Sequence, residues 1–274
     1  MSATKLDPTI LAFYRDRYNE DGRLVRSRHG QLEFLRTQEL LRRLLPAAPA
    51  TVLDVGGGTG VHAAWLAADG YTVHLIDPVP DHVAQAARRG GFATSVGDAR
   101  ALSIEDSTMD AVLLLGPLYH LIEQEDRHRA LTEAARVVRP GGMVCAAAIS
   151  RYAALLELAG FGRLNDNTEP EIRGLIEHGI NVDDPDGFTT AYFHRPELLA
   201  REMTDAGLVD VSVLGIEGPT TAALDNAGED RAAEVLDSAI RCARIVEADP
   251  AIMATSPHLL GIGRSPEHPY HDRE

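Results

Sequence analysis

Four of the five residues in Gly56–Gly60 are glycines, and they separate a segment typical of a buried strand from one typical of a helix. The strand segment, Thr51–Val55, is β-branched and apolar except for Asp54. The helical segment is Val61–Ala68. A turn that faces solvent needs one or two glycines, whereas four let backbone N–H groups and a helix N-terminus approach a ligand without interference from Cβ atoms. The loop therefore predicts a binding site rather than a plain connection.

Two ligand chemistries compete for this loop. Gly58–Ala63 fits the pattern G-x-G-x-x-G/A, and Asp77 follows about 20 residues later, as in dinucleotide-binding folds. Asp54, however, ends the strand two residues before the first glycine. A carboxylate at that place repels a pyrophosphate and favours a ligand with a cationic group.

The run Asp54–Gly60, Asp-Val-Gly-Gly-Gly-Thr-Gly, closely resembles the first motif of class I S-adenosylmethionine-dependent methyltransferases. The resemblance covers residues 50–150 strongly and residues 194–264 more weakly. It implies S-adenosylmethionine as the cofactor and methyl transfer to a small molecule as the reaction. Two alternatives stay open, namely an NAD-dependent oxidoreductase and a protein that binds S-adenosylmethionine without catalysis.

Segments with the character of strands alternate with segments of helical character along residues 51–149. The strands are predicted at Thr51–Val55, Thr72–Asp77, Phe92–Val96, Asp110–Leu115 and Met143–Ile149. Alternation at this spacing predicts βαβ units and a parallel sheet. The resemblance implies an α/β fold with a Rossmann-like, mostly parallel sheet of seven strands, helices on both faces, an antiparallel last strand and a helical cap.

Four regions follow from this pattern. Residues 1–49 are expected to form an N-terminal helical lid, and residues 50–150 the cofactor-binding core. Residues 151–193 interrupt the sheet pattern and lack the residues for a core of their own, so we expect a cap insertion. Residues 194–274 are expected to complete the sheet and to end in a tail.

Acidic residues end three successive strands of the predicted sheet, at Asp54, Asp77 and Asp98. The carboxyl ends of parallel strands meet at the edge where ligands bind. In the family that the chain resembles, the second acid binds both ribose hydroxyls, and the third acid and its neighbour, here Ala99, contact the adenine. The cofactor-binding residues that the resemblance implies are Asp54, Gly56, Gly57, Gly58, Gly60, Asp77, Pro78, Asp98, Ala99, Leu115 and Gly116.

The run Gly116–Leu121, Gly-Pro-Leu-Tyr-His-Leu, follows the fourth strand and resembles the same run in small-molecule methyltransferases. His120 is the first candidate for a catalytic group and Tyr119 the second, since an acceptor that carries a proton can need a base. A histidine that only bonds loop carbonyls is an equal alternative for His120, and ordinary helix packing is the alternative for the N-terminal tyrosines. The substrate contacts predicted from the lid, this loop and the cap are Tyr14, Tyr18, Tyr119, His120, Tyr192, His194 and Arg195.

The composition of the chain limits the classes of partner that it can be expected to bind. The formal net charge of −15 argues against a nucleic-acid substrate. No apolar run approaches the ~20 residues of a membrane span, and the histidines show no spacing typical of zinc, so neither a membrane nor a metal is expected. Two cysteines, Cys145 and Cys242, predict reduced thiols and a cytoplasmic protein. A homodimer is compatible with the sequence, and the methylated atom, O, N or C, stays open.

Overall fold

The structure is a computed structural model that describes Gly22, Leu24, residues 27–183 and residues 188–267. Tyr14 and Tyr18, predicted to contact substrate, lie outside the described residues. Helix α1 begins at Arg28, because the Ser27 side chain accepts a hydrogen bond from the Gly30 N–H group at 3.1 Å and so caps the first turn.

Seven strands of the described chain form one sheet in the order β3-β2-β1-β4-β5-β9-β8, and β6 pairs with β7 in a separate ribbon. Strand β9 runs antiparallel to β5 and β8, and the other pairs in the large sheet are parallel. The strands are β1 (Thr51–Val55), β2 (Thr72–Asp77), β3 (Ala93–Val96), β4 (Met109–Leu114), β5 (Val138–Ile149), β6 (Ile180–Asn181), β7 (Ala191–Tyr192), β8 (Val209–Gly215) and β9 (His258–Arg264).

Helices connect these strands. They are α1 (Arg28–Leu44), α2 (Val61–Ala68), α3 (Pro80–Arg89), α4 (Pro117–His120), α5 (Gln124–Val137), α6 (Ala153–Gly160), α7 (Glu169–His178), α8 (Pro196–Asp205), α9 (Thr221–Asp225) and α10 (Ala232–Val246). Strand β5 begins at Val138 rather than at Met143, because Val138 already pairs with Met109 ahead of a register shift. Strands β8 and β9 pair antiparallel as expected, but α9 and α10 separate them along the chain.

Apolar side chains fill both faces of the sheet. On one face Leu53 and Val112 belong to a buried cluster that includes residues of α5 and α8. On the other face Val52 and Leu113 belong to a cluster that includes residues of α1 and α2. Successive strand residues therefore enter opposite cores, which explains the continuous apolar runs in the sequence. The predicted fold, including the antiparallel last strand, is confirmed.

Residues 151–193 lie beside the carboxyl end of β5 and contribute α6, α7, β6 and β7. Ile149, Ile172 and Phe193 form a small buried cluster there, and Tyr119 packs against it. This segment is therefore in contact with the loop that follows β4.

Helix α1 is held in place by a fully buried arginine. The Arg36 guanidinium donates to Glu39 at 2.6 Å, to Glu247 at 2.5 Å and to the carbonyl of Ile216 at 3.2 Å. A buried guanidinium is stable only with such complete pairing. The pairing fixes α1 against the chain segments that follow β8 and α10.

Candidate functional site

The glycine loop between β1 and α2 has a backbone that requires glycine. Gly56, Gly58 and Gly60 have φ values of 69°, 56° and 83°, in the left-handed region that other residues rarely occupy. The loop is anchored to the neighbouring strand because the Gly56 N–H group donates to the Ile76 carbonyl at 2.6 Å.

The same loop has no room for side chains. A Cβ atom on Gly57 would lie 2.6 Å from the Asp54 carboxylate, and one on Gly56 would lie 2.6 Å from Pro117. The ring of Phe92 would be 2.7 Å from a Cβ on Gly60. The glycines therefore bring the loop backbone close to Asp54 and to the loop after β4.

Asp54 is a buried carboxylate whose two oxygens accept no hydrogen bond from any residue that the structure describes. Burial, with a smaller contribution from the charge of Asp77, raises the pKa of Asp54 to about 7. A buried acid without a partner is costly, so its presence calls for an explanation, such as a catalytic role or a bound ion or ligand. This carboxylate is suited to a cationic group placed against the glycine loop.

Asp77 ends β2 and orders the same loop. Its Oδ2 accepts a hydrogen bond from the Gly58 N–H group at 2.9 Å, and its Oδ1 accepts one from the Val79 N–H group at 2.9 Å. The Nδ1 atom of His82 lies 3.3 Å from Oδ1. Each carboxylate oxygen has a second lone pair, so Asp77 can also accept hydrogen bonds from a ligand. His82 was not predicted, although it lies in the first turn of α3.

Asp98 follows β3 and is paired with an arginine two residues away. Arg100 donates to both carboxylate oxygens, at 2.9 and 2.6 Å, and also to Asp126 at 2.8 Å. Burial raises the pKa of Asp98, but the hydrogen bonds from Arg100 outweigh burial and hold it below its ordinary value. Asp98 is therefore an ionised group fixed in one orientation.

Two small cavities meet at the glycine loop. The first, which we call the Asp77 cavity, is bordered by seven of the predicted cofactor residues, namely Gly56, Gly58, Asp77, Pro78, Asp98, Ala99 and Gly116. The second, the Asp54 cavity, is bordered by Asp54, Gly56, Gly57, Leu115 and Gly116. The remaining predicted residue, Gly60, borders neither of them and instead packs near Phe92.

A third and larger cavity, the outer cleft, has a volume of about 1410 Å³ and extends over the segment 151–193. Its apolar wall includes Tyr119, Ile149, Phe161, Phe188 and Phe193. Tyr119 borders all three cavities and so lies where they come together.

A family model described as a methyltransferase domain matches residues 52–142. An uncharacterised methyltransferase of Mycobacterium tuberculosis is 32% identical over 175 residues, which make up 63% of this chain and 67% of that relative. The chain belongs to the S-adenosylmethionine-dependent methyltransferases. It is thereby an enzyme, and the two alternatives raised by the sequence find no support in these similarities.

This methyltransferase also resembles a relative with a more specific name and methyltransferases of known structure. A ubiquinone biosynthesis O-methyltransferase of Methylocella silvestris is 34% identical over 152 residues, 54% of either chain. The solved structure of a SAM-dependent methyltransferase from Methanosarcina mazei has a TM-score of 0.57 and 19% identity, over 84% of this chain and 98% of that one. Among the described residues of the methyltransferase, no helix combines the length and apolarity needed to cross a membrane.

His120 lies in α4 of the methyltransferase, where its ring contacts Tyr119, with 4.5 Å between ring centroids. It borders the Asp77 cavity. Burial lowers the pKa of His120 to about 3, so the imidazole is neutral at physiological pH and binds a proton weakly. Both predicted catalytic residues thus lie beside a cavity, but His120 is poorly suited to accept a proton.

The structure places Tyr192, His194 and Arg195 away from the three cavities of the methyltransferase. His194 is fully buried, with Nε2 3.1 Å from the Glu202 carboxylate. The Tyr192 ring lies 3.7 Å from the Arg127 guanidinium carbon. Arg195 donates to the Tyr152 hydroxyl at 2.7 Å. Through Arg127 on α5 and Glu202 on α8, these contacts attach this part of the chain to two helices, so the three residues are left out of the site proposed below.

Sequence reasoning missed a cluster of polar side chains on the other side of the Asp54 cavity. It consists of Glu33 on α1, Glu217 after β8 and His258 at the start of β9, with potential ligand atoms within 4.8 Å of one another. The shortest contact is the hydrogen bond between His258 Nδ1 and Glu217 Oε1, at 2.5 Å. No local motif marks these residues, since they meet only when α1 and the last two strands of the sheet are in place.

Proposed function

We propose that this methyltransferase transfers a methyl group from S-adenosylmethionine to a small-molecule acceptor. In this proposal the cofactor occupies the Asp77 and Asp54 cavities, and the acceptor occupies the outer cleft. The observation that carries the proposal is the buried carboxylate of Asp54, which has no partner among the described residues and lies against a loop with three left-handed glycines.

The residues of the two small cavities suit the chemical groups of this cofactor. Asp54 would pair with the cationic amino-acid end, because a buried carboxylate gains most from an opposite charge. Asp77 would accept hydrogen bonds from the ribose hydroxyls with its remaining lone pairs. Asp98 and Ala99 border the far end of the Asp77 cavity, where the adenine would lie.

When bound, S-adenosylmethionine supplies an electrophilic methyl carbon attached to a positively charged sulfur. The protein's own contribution is to hold the acceptor atom in line with that carbon and to exclude water, which is a matter of proximity and orientation. Tyr119 is proposed to help align the two ligands, because it borders all three cavities. His120, neutral and buried, would shape the pocket rather than take up a proton.

The features of the outer cleft are those expected for a partly apolar small-molecule acceptor. Aromatic side chains line it, and its volume of about 1410 Å³ exceeds the ~300–1,000 Å³ typical of small-ligand pockets, leaving space for a sizeable metabolite. The O-methyltransferase name of the Methylocella silvestris relative favours an oxygen atom among the three acceptor atoms considered. A net charge of −15 argues against nucleic acid as the acceptor.

We further propose the division of the chain given by the sequence. Residues 1–49 act as a lid and residues 151–193 as a cap over the acceptor, while residues 50–150 and 194–274 build the sheet and hold the cofactor. A cytoplasmic location is supported by Cys145 and Cys242, which are both unpaired thiols, as a reducing compartment would keep them.

Isothermal calorimetry with S-adenosylmethionine, S-adenosylhomocysteine and NAD tests the proposal. We expect the first two to bind to wild type and NAD not to bind. Asp54→Asn should bind S-adenosylmethionine at least about tenfold more weakly, since the charge pair is lost. Asp205→Asn, at an exposed position at the end of α8, is the control and should bind as wild type does. Binding of NAD in preference to S-adenosylmethionine would overturn the proposal.

A further inference from the structure

His258 occupies a special position among the titratable side chains of the described chain. Like Tyr119, it borders both the Asp54 cavity and the outer cleft. If cofactor and acceptor bind as proposed above, on which this inference rests, these two residues lie where the ligands meet. A group at that junction can reach the acceptor atom that receives the methyl group.

The imidazole of His258 is held by a buried glutamate. Its Nδ1 lies 2.5 Å from Glu217 Oε1, and its backbone N–H group donates to Glu217 Oε2 at 3.0 Å. The Ser256 hydroxyl donates to the same Oε2 at 2.8 Å, and Glu217 is only 1% exposed. This arrangement selects the tautomer that carries its proton on Nδ1, which leaves Nε2 as the proton-accepting nitrogen.

Two carboxylates lie on the Nδ1 side of the His258 ring. Glu33 Oε2 lies 3.9 Å from Nδ1, and Glu217 Oε1 lies closer to the same nitrogen. At His120, by contrast, burial lowers the pKa to about 3. The titratable groups that share the two cavities with His258 include Glu33, Asp54, His62, Tyr119, His29, Glu217 and Asp225.

We propose that His258 is the general base of the methyl transfer, that Glu217 positions it, and that the acceptor carries a hydroxyl nucleophile. In the step, the acceptor oxygen forms a bond to the methyl carbon while the bond from that carbon to sulfur breaks. The electron pair of the broken bond stays on sulfur, and the hydroxyl proton passes to Nε2 of His258 and then to solvent. A hydroxyl is the nucleophile that gains most from a base, because its proton must leave for the oxygen to attack well.

The same three side chains could be thought to hold a metal ion, but the contact distance favours hydrogen bonding. Nitrogen and oxygen ligands each lie about 2.1 Å from a tetrahedral zinc ion, which separates them by about 3 Å or more. The distance of 2.5 Å from His258 Nδ1 to Glu217 Oε1 is shorter than this.

A chromophoric phenol tests the base without knowledge of the natural acceptor. The probe is 4-nitrophenol, whose phenolate absorbs visible light, added to the protein saturated with S-adenosylhomocysteine. Binding in the outer cleft should transfer the phenol proton to His258 and produce the phenolate band at a pH where free probe is mostly un-ionised. In His258→Gln the bound phenolate should fall by at least about tenfold. His128→Gln, on α5 and away from the three cavities, should keep the wild-type signal.

The positioning role of Glu217 needs its own readout. Glu217→Gln should lower the phenolate fraction and the midpoint of the His258 NMR titration, whereas Glu217→Asp should restore part of both. Because the Glu217 variants remove a buried contact, the wild-type ¹⁵N spectrum provides a second measurement, in which His258 should carry its proton on Nδ1. Calorimetric affinity for S-adenosylhomocysteine should stay within about twofold of wild type in His258→Gln.

Each outcome of these measurements is decisive. A wild-type protein that fails to bind S-adenosylhomocysteine refutes the proposed function itself. A protein that binds it but yields no phenolate band with 4-nitrophenol, or an equal band in His258→Gln, refutes the base alone. An Nε2-protonated tautomer in wild type, or tight zinc binding that is lost in His258→Gln, also overturns the inference.

Discussion

The two walls of the Asp54 cavity are built in different ways. One wall is local, since Asp54 and the glycine loop follow one another along the chain. The opposite wall combines Glu33 and His258, which are separated by most of the chain and brought together only by tertiary folding. The first wall presents loop backbone and the Asp54 carboxylate, whereas the second presents side chains from distant parts of the chain.

The most severe test of the local wall is a side chain on the loop. Gly58→Val should abolish measurable S-adenosylmethionine binding in a folded protein, because φ is 56° and a branched Cβ is strained there. Gly207→Ala is the matched control, with φ of 90° but open space around it. It should lose about 1 kcal/mol of unfolding free energy and keep wild-type affinity. Calorimetry and thermal melts measure both, and normal binding by Gly58→Val would mean that the loop is merely a turn.

The next largest expected effect is a difference in turnover between variants of two histidines, His258 and His120. His258→Gln should lower kcat on the identified acceptor by about 10²–10⁴-fold if it removes the general base. We expect His120→Asn to lower kcat by less than about tenfold, because the pKa of His120 is already depressed to about 3 by burial. A larger loss in His120→Asn than in His258→Gln, at equal melting temperature, would reverse the assignment.

Asp77 tests the cavity next to the local wall, which is the Asp77 cavity. Asp77→Ala should weaken S-adenosylmethionine binding by at least about tenfold, since charge-assisted hydrogen bonds contribute roughly 1.5–3 kcal/mol. Part of this loss comes through the loop, because Asp77 also accepts the Gly58 N–H group. Asp205→Ala serves as the control. An affinity within twofold of wild type for Asp77→Ala would remove Asp77 from the site.

The smallest expected effect is a pH dependence from Asp54. Its pKa is raised by burial to about 7, so the carboxyl is neutral in the cofactor-free protein below that pH. The unfolded chain ionises at the ordinary carboxyl pKa of about 4, whereas folded Asp54 stays protonated up to about 7, so the cofactor-free protein should lose unfolding free energy between these pH values and level off above 7. A cationic ligand prefers the ionised form, so its affinity should rise roughly fivefold to tenfold between pH 6 and 8. Both trends should be absent in Asp54→Asn, as measured by melts and calorimetry.

These tests follow the division between what sequence could and could not predict. The alternation of strands and helices, the glycine loop and the acids at Asp54, Asp77 and Asp98 were all predicted, because each is encoded within a few adjacent residues. For Gly60, cofactor binding stays a prediction, and its proximity to Phe92 is a contact across the βα units that spacing alone does not show.

Residues on the far side of the site were harder to predict. Tyr192 and His194 were placed near substrate because they lie where the chain returns to the sheet. The structure shows that Arg127 and Glu202, from two other helices, hold them instead. His258 was not predicted, since its proposed role depends on a glutamate 41 residues away in sequence. Such partnerships depend on strand order, which a single sequence does not reveal.

The buried Arg36 has a consequence for how this protein assembles. Its partner Glu247 is 211 residues away along the chain, so α1 gains its fixed place only after nearly the whole sheet has formed. Contacts between such distant segments form late, because a long loop must close before they are made. The cofactor loop can therefore form early, whereas the Glu33 side of the cavity must wait for the C-terminal segments. A chain released before residue 247 would contain the glycine loop typical of the family. It would lack the opposite wall of the Asp54 cavity, which we propose completes the catalytic site.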